Sequence, residues 1–306
     1  MNVIEQNLFS LLRVGAFDDG NVSIVPMSTW KWNKMAYYAQ VHGIWDYVRK
    51  GLDNYKADNK LNTPYNFGNR ENKTKDISHN NDNSQHQNKL LLKQYRSIIE
   101  KERHSIDTSI TTLQLLEIIV FNSNELLNKD LNFNGIINLG HFMREKGNAV
   151  DYIKLESWLS QLRLTRMAQL EGSVLVSVLG FDADEIPFVN TVEDSALNLA
   201  KTTIRSTTLA EEWHFRQSDN GFVVNNSKLF RRNMKRSLHF LNYAPIISIS
   251  SFFYNFVHSL KLSDPYDREY SDTAHFIAEA LAPLVRGPED LTDSFLDVMS
   301  ECSGGS

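Results

Sequence analysis

Apolar residues recur every three or four positions along most of this chain, and that spacing constrains its fold more than any other feature. Ile4, Leu8, Leu11 and Leu12 keep it, then Trp32, Met35, Ala36 and Ala39, and later Leu91, Tyr95, Ile98, Ile99 and Ile106. It continues through Leu113, Leu116, Ile119 and Val120, through Ile136, Leu139 and Met143, and through Met167, Leu170, Val174, Leu175 and Val178. A period near 3.6 residues lines up one apolar stripe on an α-helix, whereas a half-buried strand needs strict alternation. Alternation is confined to a short candidate at Phe222–Val224. The spacing therefore predicts an all-α or nearly all-α architecture, a multi-helix bundle.

Helix ends are marked by residues with a physical reason to be there. Ser28, Asp151 and Thr165 are placed to accept from the free amides of a first helical turn. Thr191–Asp194 has the form of a capping box ahead of Leu197, Ala200 and Ile204. Gly15, Gly43 and Gly147 are placed to stop helices, Gly180 fits the left-handed position just past a helix end, and Lys129–Gly135 reads as a turn. The aromatic cluster Trp30, Trp32, Tyr37, Tyr38, Trp45 and Tyr47 falls mostly on helical faces and is expected to pack in the core rather than to stack on bases.

Residues 54–88 break the pattern. Ten of these thirty-five residues are Asn, six are apolar, and charges of both signs alternate. Such a stretch buries too little apolar surface to offset its ordering entropy, so a disordered linker is expected. The predicted organisation is an N-terminal helical segment at 1–53, that linker at 54–88, a main helical domain at 89–262, and an acidic tail at 263–306 with two short helices. The tail holds ten acidic residues against Arg268 and Arg286, a charge of −8, which leaves +3 on residues 1–262 within the overall −5. The single cysteine, Cys302, excludes an internal disulfide framework and a cysteine-built metal site. Residues 1–12 lack the basic start of a signal peptide and carry Glu5, so a cytoplasmic protein is expected.

Catalytic chemistry is hard to assemble from these residues. Gly172-Ser173 followed by Asp182 and Asp184 imitates the Gly-Ser turn and paired carboxylates with which nucleotidyltransferases hold a triphosphate and two metal ions. Gly172-Ser173 lies within a helical face, however, and Pro187 follows Asp184 too closely for a central strand. Helix end and acidic loop is the expected reading. The chain has no phosphate-binding Gly-rich loop, no His-Glu-x-x-His and no Gly-x-Ser-x-Gly, and its nine histidines are scattered. No catalytic residue, metal site or cofactor is predicted.

The strongest surface signal is basic. Lys228, Arg231, Arg232, Lys235 and Arg236 fall at i, i+3, i+4, i+7 and i+8, on one helical face with His239, while Phe230, Met234, Leu238 and Leu241 lie opposite. Residues 237–260 then carry no Lys, Arg, Asp or Glu, but Pro245, Asn242, Asn255 and His258 argue against a transmembrane span. The basic face is the candidate binding site, for a protein partner or an anionic surface. A peripheral adaptor at the inner membrane face using helix 228–239 is one alternative, and nucleic acid is another ligand open to such a face.

The order of these segments resembles a family of nucleotidyltransferases found in bacterial polysaccharide and surface-assembly loci, within the polymerase-beta-like superfamily. The motifs that carry the resemblance are Leu11-Leu12-Arg13-Val14-Gly15, the helix at Trp30–Gln40, the Gly-led helix at Gly135–Met143, Trp158–Leu162, and Leu179-Gly180 running to Glu185-Ile186-Pro187-Phe188. They cover about residues 1–50 and 90–260. The resemblance implies the helical flanks of a nucleotidyltransferase. The family carries its catalytic sheet and metal-binding aspartates between two helices that correspond to 91–106 and 113–127, and about six residues separate those helices here. No position matches the catalytic residues. The expectation is a non-catalytic, nucleotidyltransferase-like binding or adaptor module, a pseudoenzyme; an active relative with a site of dispersed polar residues is the alternative.

Overall fold

The structure is a computed structural model that describes residues 1–58, 89–105, 107–128, 130–206, 215–218 and 221–224, together with Phe240, Tyr243, Ala244 and Ser248. Among the described residues it is all-α apart from one hairpin. The helices are α1 (Val3–Phe17), α2 (Thr29–Val41), α3 (Trp45–Asp58), α4 (Lys89–Arg103), α5 (Ile110–Asn128), α6 (Phe133–Lys146), α7 (Tyr152–Gln161), α8 (Thr165–Leu179) and α9 (Ser195–Arg205). The hairpin pairs β1 (Phe215–Ser218) with β2 (Gly221–Val224) antiparallel, Phe215 opposite Val224, so the short candidate at 222–224 does form a strand. No helix of the described residues is long and apolar enough to cross a membrane.

The chain divides into two compact units. The first holds α1–α3 and α5–α9, so the N-terminal helices fold with the middle of the chain rather than as a separate segment. The second holds α4 and the hairpin, and α4 buries Leu91, Ile98 and Glu102 along one side.

In the first unit α1 lies closest to α3. Gly15 does not stop α1, which runs on to Phe17. A Cβ on Gly15 would overlap Tyr47 O and come within 2.7 Å of Gly51 N, so the two glycines let the helix backbones touch. The stop is made by Asp18 in the left-handed conformation, its amide donating to Val14 O. Leu8, Leu11 and Leu12 of α1, Trp32 and Met35 of α2, and Val48 of α3 are buried as the 3.6-residue period predicts. Of the aromatic cluster only Trp32 and Tyr38 are buried; Trp45 and Tyr47 are partly so, Tyr37 is exposed, and Trp30 is 65% exposed with Lys34 Nζ 5.1 Å from its ring centroid.

The other caps divide into those that act and those that do not. Asp151 accepts from the Ile153 and Lys154 amides, and Gly180 takes φ 74° after α8, both as expected. Ser28 stands at the N-cap of α2 without a side-chain bond. The capping box expected at Thr191–Asp194 is not formed: Asp194 is the N-cap and its side chain makes no cap bond. Gln169 Nε2 instead engages Thr191 O and Oγ1, each at 2.7 Å. α6 begins at Phe133, inside the expected 129–135 turn, because Asn132 caps it by accepting from the Gly135 amide. α3 continues to Asp58, past residue 54 where composition placed the start of the linker.

Candidate functional site

The basic residues Lys228, Arg231, Arg232, Lys235 and Arg236 lie outside the described residues, as do His79, His86, the tail and residues 59–88. Gly172 and Ser173 sit within α8, where a Cβ on Gly172 would come within 3.0 Å of the Phe188 ring. Ser173 Oγ donates to Gln169 O at 2.7 Å and accepts from the Glu193 amide at 3.0 Å, so it faces no phosphate-sized space. Asp182 caps a 3-10 turn at Ala183–Glu185, in a box closed by the Glu185 side chain on the Asp182 amide at 2.9 Å. Asp184 is exposed on that turn. Among the described residues no three His, Cys, Asp or Glu side chains gather as metal ligands.

The motif residues behind the family resemblance meet in space, and they meet one another. Arg13 lies across Gly180, where a Cβ would come within 2.5 Å of the guanidinium, and pairs with Asp19 Oδ2 at 2.5–2.9 Å. Burial works to raise the Asp19 pKa, but the Asn21 amide and the Arg13 guanidinium outweigh it and hold the carboxyl below its ordinary value. Arg144 stands 4.2 Å from the Phe181 ring centroid and 5.1 Å from that of Phe17, while its Nε donates to Glu185 at 3.2 Å. Phe17 and Phe181 meet edge to face at 4.9 Å. Each charge in this cluster has its opposite, and each ring a neighbour. Such a cluster joins α1, α6 and the end of α8, which is structural work.

A different feature is open to a ligand. Between α5 and α6 runs a cavity of about 590 Å³ lined by Gln114, Glu117, Ile118, Phe121 and Asn122 on one side and Asn134, Asn138, Phe142 and Lys146 on the other, with Asn132 and Gly135. The spacing that builds it is simple. Asn134, Asn138, Phe142 and Lys146 form one i+4 row on α6, and Gln114, Ile118 and Asn122 form one on α5. Phe121 is half exposed, at 50%, an unusual state for a ring of this size. Lys146 Nζ reaches Gln114 Oε1 at 3.4 Å at one end. At the other, Asn122 Nδ2 donates to Gly135 O at 3.1 Å, and only a residue without a Cβ leaves room for that amide.

Beneath this end lies a buried carboxyl. Glu171 of α8 is 1% exposed, and Ser123 Oγ donates to its Oε1 at 2.7 Å. Burial drives its pKa well above the ordinary 4.5; hydrogen bonds from Ser123 and Asn122 oppose that rise without cancelling it. Glu171 Oε2 and Asn122 Oδ1 are both buried and neither has a partner among the described residues. Burial without a paired cation favours the protonated form of this carboxyl. Sequence reading missed this site because Asn was weighed only as linker composition; the visible signal was Asn134 and Asn138 one turn apart on an otherwise amphipathic helix.

No protein-family model, curated protein or solved structure matches this chain.

Proposed function

We propose that this chain is a non-catalytic binding or adaptor module, a helical frame of the nucleotidyltransferase type that takes its partner in the groove between α5 and α6. The observation that carries the reading is the lining of that groove. Carboxamides from Gln114, Asn122, Asn132, Asn134 and Asn138 dominate its polar surface, with the open ring of Phe121 beside them. A carboxamide donates and accepts hydrogen bonds but does not titrate near neutral pH and is a weak nucleophile, so the set suits recognition better than proton or group transfer. The self-satisfied contacts of Arg13, Gly180, Arg144 and Glu185 support a frame whose motif residues hold helices together.

The test is nucleotide transfer. Purified full-length chain, supplied with magnesium or manganese and each nucleoside triphosphate, is expected to release no pyrophosphate above background. Metal-dependent release that Asp182→Asn abolishes would overturn the reading.

A further inference from the structure

Resting on the binding-module reading, we infer that the α5–α6 groove takes an extended peptide segment of a partner protein and holds it by its main chain. Four features of the groove select this occupant. The first is length. The row from Asn134 to Lys146 spans about 18 Å at 1.5 Å per helical residue, which matches about five residues of extended chain at ~3.3 Å each. The second is repeat. Asn134 and Asn138 stand one i+4 step apart, ~6 Å along the axis, close to the ~6.6 Å after which an extended main chain presents the same groups again.

The third is bonding capacity. Asn138 is exposed and its side chain makes no hydrogen bond with the described residues. Asn132 spends its oxygen on the Gly135 amide and Asn134 its Nδ2 on Gly43 O at 3.3 Å, so each keeps the other half of its amide for a ligand. A peptide unit offers one N–H and one C=O, the complement of a carboxamide. The fourth is charge. Glu117 and Lys146 are the ionisable lining residues and they cancel, so the groove complements an uncharged, strongly dipolar chain and offers nothing special to a phosphate or polyanion. Phe121 then covers one side chain of the bound segment.

The probe is a phage-displayed random nonapeptide library panned on the full-length chain, followed by synthesis of an enriched peptide. That peptide is expected to lose at least tenfold in affinity for Asn138→Ala and for Phe121→Ala, both surface changes whose thermal melts should match the parent. It is also expected to lose at least tenfold when alternate peptide nitrogens are N-methylated, which removes main-chain donors and leaves the side chains. No enrichment, or binding indifferent to Asn138→Ala, or binding indifferent to N-methylation, overturns the inference. An oligosaccharide array run alongside is expected to be blank; a glycan lost on Asn138→Ala would assign the groove to sugar, overturning the peptide occupant while leaving the binding-module reading intact. Pyrophosphate release would sink that reading and leave the peptide result untouched.

Discussion

Replacing Glu171 with glutamine tests the chemistry beneath the groove. The wild-type carboxyl is fully buried, with one oxygen bonded to Ser123 and the other unpaired, and burial raises its pKa well above 4.5. The sign follows from proton counting. Above pH 4.5 the unfolded chain has lost this proton while the folded chain keeps it, so folding takes up a proton and stability falls as pH rises. The slope is at most about 1.4 kcal/mol per pH unit, and it persists until pH passes the folded pKa. Glu171→Gln keeps the shape and an oxygen for Ser123 without a titrating group. The variant is therefore expected to match wild type near pH 4.5 and to become the more stable protein by up to about 1.4 kcal/mol for each further unit. A single neutral hydrogen bond contributes only about 1 kcal/mol, so a gap that widens over several units belongs to ionisation and not to bonding. Urea titrations followed by tryptophan fluorescence between pH 5 and 8 measure it, with midpoints compared at constant m. Parallel pH profiles for the two proteins would refute the argument, because they would mean Glu171 titrates alike in both states.

Two further outcomes follow from named contacts. His42 Nε2 stands 3.3 Å from Ile204 O and, because a carbonyl only accepts, carries the proton of a neutral ring; burial holds its pKa below 6.5 against the opposing pull of that bond and of Asp130. The unfolded chain then binds a proton first on acidification, so His42 supports stability above pH 6.5 and loses that support as pH falls through the folded pKa; urea midpoints of His42→Gln should decline less below pH 6.5 than those of wild type. Gly15→Ala drives a methyl into the backbone of Tyr47 and Gly51, which no rotamer change relieves, and should cost about 3 kcal/mol in urea melts. Gly51→Ala opens the same crossing, so the double variant should cost less than the two singles together.

Much of the fold could be read before any coordinates. The 3.6-residue period placed most of the long helices, α3 excepted, because a helix must bury one stripe, and Leu8, Leu12, Met35, Leu116, Ile136 and Val174 are all fully buried. Asp151 and Gly180 were legible for the same local reason: capping involves neighbours two to four residues away. Gly15 misled because a glycine in a helical stretch has two uses, and which one applies depends on what lies across from it. Thr191 misled because the Gln169 side chain, twenty-two residues earlier, captured it.

By itself, then, the sequence determined helix content, the positions of the stripes and two of the caps, since these depend on spacing along one chain. It also determined that the Asp182 and Asp184 pair stands in a helix end and loop, through Pro187 and the face that contains Gly172. Only the tertiary structure decided that Arg13 meets Gly180, that Glu171 is buried against Ser123, and that four asparagines and a glutamine from α5, α6 and their junction face one cavity. Spacing orders residues within a helix, but the partner of each face is set by how helices far apart in sequence pack, and a binding groove is a property of two faces.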